Sequence, residues 1–129
     1  MAHRVLVKRL TELYDPFSAL RFFPRKGEVE RAKPVSKHEP DYGKRTRKYH
    51  AGRIKFFIDI LAQGGKINPI SVDNQCEGGH IYPEPTLLDG HHRLAAAELH
   101  GEKWISVSYG GRLDLLRYLQ GRRKTCPQG

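Results

Sequence analysis

The order of elements around Gly90 constrains the fold more than any other feature of the sequence. Residues 81–88 have the composition of a β-strand, and a glycine turn follows at once. Residues 91–100 then predict a helix, because three consecutive alanines strongly favour helical backbone. Gly101 ends that helix, and residues 104–109 alternate between apolar and polar side chains as a strand does. This order predicts a helix packed on a sheet.

The remaining segments extend the alternation of strands and helices. Residues 4–10 predict a first strand, and residues 67–72 predict one that forms a hairpin with residues 81–88. Residues 47–63 predict the longest helix and residues 113–119 a short last one. The apolar positions of the long helix, which recur every three or four residues, are Ile54, Phe57, Ile58 and Leu61. The predicted class is α+β, a small mixed sheet with packed helices.

A chain of 129 residues is long enough for one domain with a modest core, so we expect a single domain over residues 1–129. Within it, residues 24–46 contain three prolines, two glycines and many charges without an apolar period. They predict a long basic loop that is flexible or ordered only on binding. Residues 122–129 predict a frayed basic tail.

Several classes of protein are disfavoured by composition. The two cysteines form no CxxC pair, so a disulfide framework or structural zinc site is not expected. The apolar stretches are far too short to span a bilayer, so we expect no membrane partner. The first residues lack the pattern of a cleavable signal, which makes a cytoplasmic location the default. Oligomeric state cannot be predicted from these features.

The net charge of +9 is located in one part of the chain. Residues 1–55 contain 15 Lys and Arg against 6 Asp and Glu, whereas residues 56–129 contain 8 of each kind. This surplus predicts a polyanion partner, DNA or RNA first, although a solvated loop that only aids solubility is an equally good interpretation. The candidate nucleic-acid contacts, where basic residues are densest, are Lys44, Arg45, Arg47 and Lys48.

The turn at residues 89–93, Asp-Gly-His-His-Arg, is the strongest candidate site. Gly90 lets the backbone turn tightly and lets a ligand approach the main chain. The N–H groups of the first helical turn, with the positive end of the helix dipole, make an anion site. His91, His92 and Arg93 supply further donors, and arginine can grip a phosphate with two hydrogen bonds. We therefore predict a phosphate site, most of all for a nucleotide.

Asp89 permits several interpretations. Its carboxylate can cap the helix, accept a hydrogen bond from a ligand hydroxyl or coordinate Mg²⁺, so it is the candidate catalytic and metal residue. In the plainest interpretation the segment is an ordinary helix start, with a capping aspartate and exposed histidines. A metal site formed by His91 and His92 is disfavoured, because neighbouring side chains on a helix point about 100° apart.

The frame of residues around this turn resembles the ParB/sulfiredoxin-like superfamily. It consists of residues 67–73, residues 88–96, Gly101 and residues 104–107, which match the pattern PI-V, G-x-x-R-x-x-A, G and IPV. The resemblance covers roughly residues 3–120, apart from the loop at 24–46. It implies the small mixed sheet with packed helices, and a nucleotide phosphate at the glycine turn.

Within that superfamily, sulfiredoxins bind the phosphates of ATP at a Gly-Cys-His-Arg turn, and the cysteine does the chemistry. Gly90, His92 and Arg93 match, but His91 replaces the cysteine, so sulfiredoxin activity is contradicted. When the apolar frames are aligned, Arg53 falls near a lysine that sulfiredoxins offer to ATP. The resemblance therefore implies Arg53 as a second phosphate contact.

Other branches imply other activities. ParB partition proteins bind CTP at the matching turn, but within a longer chain with a DNA-reading segment, and some relatives are nucleases or DNA-binding plasmid and phage proteins. The Asp-Gly-His-His-Arg motif itself resembles the corresponding turn of free serine kinases in this superfamily. There an acidic residue after the first strand acts as a base, and Glu12 is the candidate here, although it lies in no matching motif.

The leading hypothesis is a nucleotide-phosphate-binding domain with a nucleic-acid-linked role, from a phage or plasmid. One alternative is an enzyme of the same fold, either an ATP- or ADP-dependent small-molecule kinase or a nuclease or phosphohydrolase that uses Mg²⁺. The other is a non-catalytic protein-interaction module, because a fold does not determine a function.

Overall fold

The computed structural model of the chain describes residues 2–20, 22–37 and 46–128. These residues form four strands and six helices, which confirms the predicted α+β class. In chain order the elements are β1 (Ala2–Leu6), α1 (Val7–Leu13), α2 (Pro16–Ala19), α3 (Lys26–Glu30), α4 (Arg47–Ala62), β2 (Ile70–Glu77), β3 (His80–Asp89), α5 (His91–His100), β4 (Trp104–Tyr109) and α6 (Leu113–Leu119).

The strands form one mixed sheet in the order β1-β4-β2-β3. β1 is antiparallel to β4, and β2 is antiparallel to β3. β2 and β4 are parallel, with Ile70 opposite Val107. Parallel neighbours need a crossover connection, and here it runs through β3 and then α5. The pairing of Ser71 with Asp89 brings the end of β3, where α5 begins, beside the start of β2.

The helices pack on one face of the sheet in two layers. α1, α5 and α6 cover the sheet directly, and α4 packs on the outer side of α5. Leu94 and Ala97 of α5 face the sheet, whereas Ala95 and Ala96 contact the α4 layer. The small alanine side chains allow both layers to approach the helix closely. The buried strand residues beneath the helices are Val5, Ile70, Val72, Leu87, Ile105 and Val107.

The second half of the chain matches the sequence prediction most closely. The predicted helices at 91–100 and 113–119 and the strand at 104–109 are found with the same bounds. The long helix starts at Arg47 as predicted, because the Thr46 side chain accepts a hydrogen bond from the backbone N–H of Tyr49. It ends at Ala62, one residue earlier than predicted.

The predicted hairpin is present but lies further along the chain. β2 runs from Ile70 to Glu77 rather than over 67–72, and β3 from His80 to Asp89 rather than over 81–88. Gly78 and Gly79 form the turn with positive φ angles of 57° and 80°. β3 is an edge strand with an irregular register, a position that tolerates Pro83 and Pro85 because proline has no backbone N–H to donate.

The prediction of a strand over residues 4–10 is wrong in its second half. β1 ends at Leu6, and residues 7–13 are helical. Val7 and Leu10 are both buried, three residues apart, which is the spacing of one helix face. The alternation of Val5 and Val7 imitates a strand only because the two residues reach the same core from different elements.

The predicted loop over residues 24–46 contains a helix, α3, in its described part. Val29 is 1% exposed and packs with Phe23, Ala51 and Ile54, so this single apolar residue anchors the helix. Its neighbours are polar, and for that reason the sequence shows no apolar period here. Residues 38–45, including the candidate contacts Lys44 and Arg45, lie outside the described residues.

Residues 33–36, which we name the strap, follow α3 and lie against α4. The backbone N–H of Val35 donates to the carbonyl of Gly52 at 2.9 Å. A Cβ atom at Gly52 would lie 2.5 Å from Cγ2 of Val35, so only glycine permits this approach. The strap is therefore docked on the helix rather than loose.

The C-terminal tail is also attached to the core. Nη1 of Arg9 donates to the carbonyl of Arg123 at 2.8 Å, and Cys126 packs against the sheet core. The prediction of a frayed tail is thus wrong for part of this segment. Among the described helices, none has the length and apolar character needed to cross a membrane.

Candidate phosphate-binding site

The site begins at Gly90, between β3 and α5. Its φ and ψ angles are 104° and 27°, in the left-handed region that favours glycine. A Cβ atom here would lie 2.4 Å from Cγ2 of Ile70, the first residue of β2. Backbone conformation and close packing thus both require glycine, and together they fix the direction in which α5 leaves the sheet.

The N-cap residue of α5 is Gly90, and among the described residues no side chain caps this helix start. The interpretation of Asp89 as a capping residue is therefore wrong, because its carboxylate accepts a hydrogen bond from Nη2 of Arg93 at 3.0 Å instead. The backbone N–H groups at the start of a helix have no acceptor within the helix, and they carry its positive dipole end. An uncapped start is therefore suited to an anion.

A cavity of about 120 Å³, which we name the α5 cleft, opens at this helix start. The structure brings every predicted phosphate contact to its wall, together with Asp89. Phe57 of α4 and Leu20, at the end of α2, also line the cleft, and no sequence pattern marks either of them as a site residue. The lining residues are Leu20, Arg53, Phe57, Asp89, Gly90, His91, His92 and Arg93.

Arg53 is the most unusual residue of the cleft, because it is a charged side chain with only 8% of its surface exposed. Its Nη1 atom donates to the carbonyls of Val35 and Ser36 at 3.0 and 2.9 Å, and its guanidinium lies 4.9 Å from the ring centre of Phe57. Its Nε atom is buried and has no hydrogen-bond partner in the described part of the chain. A buried donor without an acceptor is costly, so this residue is suited to an acceptor bound in the cleft.

Arg93 is fixed rather than freely mobile. Its Nη1 atom donates to the carbonyls of Asn68 and Pro69 at 3.1 and 2.9 Å, and its Nη2 atom pairs with Asp89. The Asp89 side chain is 75% exposed, against 14% for Arg93. A phosphate can thus replace the carboxylate on Arg93 while the two backbone contacts hold the guanidinium in place.

His91 forms a pair with Tyr14 of α1. Its Nε2 atom lies 2.8 Å from the tyrosine hydroxyl oxygen. Burial lowers the pKa of His91 below its ordinary value, although the nearby Asp89 carboxylate acts in the opposite direction. Burial also raises the pKa of Tyr14. Both groups are therefore uncharged near neutral pH, and the pair offers a ligand hydrogen bonds without charge.

His92 is held by a histidine from α4. Nδ1 of His50 lies 2.8 Å from Nε2 of His92, and the two rings stack with their centres 5.1 Å apart. Phe23 stacks on His92 in turn, at 5.6 Å between ring centres. His50 is 3% exposed, and no local sequence pattern marks it as a site residue. The stack fixes the orientation of His92 in the cleft wall.

The geometry offers less support for a catalytic role of Glu12 and for a metal site at Asp89. Glu12 is exposed on α1 and does not line the α5 cleft, and the nearby Asp15 caps α2 by accepting from the N–H of Phe17 at 2.9 Å. The described residues contain no group of three metal-ligating side chains. Asp89 is the one carboxylate in the described lining, so Mg²⁺ here would depend on ligands from a bound phosphate.

A second cavity, which we name the basic groove, lies between α3, the strap and α4. Its volume is about 520 Å³. It brings the candidate nucleic-acid contacts Arg47 and Lys48 together with Arg31 and Lys33. Arg47 pairs with the Glu28 carboxylate, whose pKa is lowered by that hydrogen bond. The other three cations of the groove, Arg31, Lys33 and Lys48, have no carboxylate partner among the described residues.

The chain shows no significant match to a known protein family, to a curated protein or to a solved structure. The likeness to the ParB/sulfiredoxin-like superfamily therefore rests on the residue frame quoted above. The functional argument depends on the geometry of the α5 cleft and the basic groove.

Proposed function

We propose that this protein binds a phosphorylated ligand, a nucleoside phosphate before others, in the α5 cleft and acts in contact with nucleic acid. The observation that carries the proposal is the buried Arg53, whose Nε atom has no acceptor among the described residues, in the wall of a cleft at an uncapped helix start. Two independent features thus favour an anion at the same place.

Three groups of donors belong to residues that line the cleft and are available to a phosphate. They are the first-turn N–H groups of α5, the Arg53 guanidinium with its unpaired Nε among the described residues, and Arg93 once Asp89 has moved away. Hydrogen bonds between guanidinium and phosphate are among the strongest in proteins. Pockets that enclose a small organic ligand usually hold about 300 Å³ or more, so a cleft of about 120 Å³ fits the phosphate end alone.

Calorimetry with ATP, ADP, CTP and GTP, with and without Mg²⁺, tests this proposal. Arg53→Lys keeps the charge and removes the Nε donor, and we expect it to weaken binding by about tenfold or more. Arg117→Lys, at an exposed position on α6, is the matched control and should bind as the unaltered protein does. An unchanged affinity in the Arg53 variant, or no binding of any of the four nucleotides, would refute the proposal.

The basic groove supports the nucleic-acid part of the proposal. Lys33 of the strap and Lys48 of α4 bring positive charge to one cavity, and neither has a carboxylate partner among the described residues. Binding to phosphates by such charges weakens steeply with salt, because it releases counterions. We expect Lys33→Ala and Lys48→Ala each to reduce the slope of duplex affinity against salt by about one. A slope that stays unchanged in both variants excludes the basic groove as the interface.

A further inference from the structure

A third cavity lies where β1 and β4 meet the segment that follows α4. It has a volume of about 470 Å³ and includes Trp104, with Arg4, Lys66 and Lys103 around it. We name it the Trp104 groove. Its lining contains one carboxylate, that of Glu102, so the charge of the described lining is positive. An anionic partner is therefore favoured.

Two cations lie beside the indole of Trp104. The guanidinium carbon of Arg4 lies 5.0 Å from the ring centre and the ammonium of Lys103 lies 5.8 Å away, close to the outer limit of about 6 Å for such contacts. The ring is partly exposed, and both cations are on exposed side chains. A planar ligand can thus approach the indole while the cations move onto its charged groups.

The sheet face that continues from this groove is not covered by buried packing. Arg4 pairs with Ser106, and Ser71 pairs with Ser108, so these residues share the face that carries Trp104. None of them is buried, in contrast to their neighbours along each strand. Ser71, Ser106 and Ser108 therefore place three small hydroxyl groups on this face, and these groups can hydrogen-bond to sugar and phosphate oxygens.

We propose that the Trp104 groove binds single-stranded nucleic acid, with a base stacked on Trp104 and the flanking phosphates on Arg4, Lys66 and Lys103. Aromatic rings beside cations are the usual means of holding single strands without sequence preference. An acidic peptide can pair with the cations of the groove, but its residues carry no aromatic ring to stack on Trp104. In a duplex the bases are already stacked on one another, so their faces are not available to the indole. This surface is separate from the α5 cleft, so the proposal does not depend on nucleotide binding there.

Trp104 is the sole tryptophan of the chain, so its fluorescence reports on this groove alone. We expect a short single-stranded oligodeoxynucleotide to quench the emission in a saturable way. Inorganic polyphosphate, polyglutamate and a duplex of the same sequence should leave the emission nearly unchanged. Equal quenching by polyphosphate or polyglutamate would show a surface that recognises charge only and would overturn the proposal, as would no quenching by the single strand.

Variants separate stacking from charge. Measured by anisotropy of a labelled single strand, Trp104→Ala should weaken binding by about fivefold or more, whereas Trp104→Phe should retain most of the affinity. Lys66→Glu with Lys103→Glu, at exposed positions, should weaken binding even if Trp104→Ala fails to fold. Lys124→Ala, at an exposed position of the C-terminal tail outside both grooves, should leave the quenching unchanged. Affinity unaffected by both the tryptophan and the lysine variants contradicts the proposal.

Discussion

Two buried polar clusters in this protein differ in how their hydrogen bonds are completed. Asn74 of β2 is 3% exposed, and its Oδ1 atom accepts from the Tyr109 hydroxyl at 2.5 Å and from the backbone N–H of Arg112 at 2.6 Å. Its Nδ2 atom donates to the carbonyl of Glu84 at 3.4 Å. Arg53 is buried to a similar degree but leaves Nε without a partner among the described residues.

The two side chains also differ in the free space around them, which is small at Asn74 and larger at Arg53. A Cβ atom at Gly111 would lie 1.9 Å from Oδ1 of Asn74, so that cluster has no room for a ligand. Arg53 lines a cavity of about 120 Å³. The other buried atom without a hydrogen bond in the described chain, Oε2 of Glu98, has the Lys26 ammonium 3.5 Å away. A closed polar cluster joins elements of the fold, whereas an open one beside a cavity indicates a binding site.

The sharpest test of the comparison is Asn74→Ala. This substitution leaves the Tyr109 hydroxyl and the Arg112 N–H without their acceptor. We therefore expect the free energy of unfolding to fall by roughly 2–4 kcal/mol. Nucleotide affinity should not change, because Asn74 is not in the α5 cleft. Urea unfolding and calorimetry measure the two quantities. Gln75→Ala, at the exposed neighbouring position, is the control and should alter neither.

Gly90→Ala should have the next largest effect. Both the positive φ angle and the contact with Ile70 oppose a side chain there, so we expect a loss of about 1–3 kcal/mol in unfolding free energy and weaker nucleotide binding. Gly101→Ala is a matched control, since its φ angle is also positive, at 79°, but its Cβ atom would meet nothing within 4 Å. An equal loss in both variants would mean that contact with Ile70 is unimportant.

The third prediction concerns Asp89→Asn, a substitution in the wall of the α5 cleft. The amide removes a negative charge from the cleft and accepts more weakly from Nη2 of Arg93, so a phosphate displaces it more easily and nucleotide affinity without Mg²⁺ should rise several-fold. Stability should change by less than about 1 kcal/mol, because the carboxylate is largely exposed. If phosphoryl transfer or hydrolysis is found, its loss in this variant assigns Asp89 to the chemistry. Weaker metal-free binding would contradict our description of the cleft, and Glu12→Gln should bind normally.

The smallest expected effect is a pH dependence from His91. Burial lowers its pKa in the folded protein, so the unfolded chain binds a proton more readily. The stability due to the neutral ring is complete above about pH 6.5 and is lost as the pH falls toward the lowered folded pKa. Urea unfolding on both sides of that pH should show this loss, and His91→Gln should make it smaller. An identical pH dependence in the variant would exclude His91 as its source.

Much of the fold was predictable because its signals are local. The helix at residues 91–100 contains a run of alanines, the strand at 104–109 alternates between apolar and polar side chains, and Gly101 separates them. α1 was missed because seven residues are too few to show a helical period beside a strand. α3 was missed because Val29 alone carries its packing.

The candidate site was predictable to a similar extent, and for the same reason. Gly90, His91, His92 and Arg93 are consecutive, so one motif selects them all. Arg53 was found only through the resemblance, from the alignment of apolar frames. Tyr14, His50 and Phe57 reach the site from α1 and α4 through tertiary packing. Nothing in their local sequence marks them.

The position of β4 has a consequence for the order of assembly during synthesis. Among the described strands β4 is made last, yet it lies inside the sheet, between β1 and β2. β1 therefore waits for a partner until residues 104–108 emerge, about a hundred residues later, whereas β2 and β3 pair locally around Gly78 and Gly79. The sheet thus stays divided into two parts until β4 inserts between them.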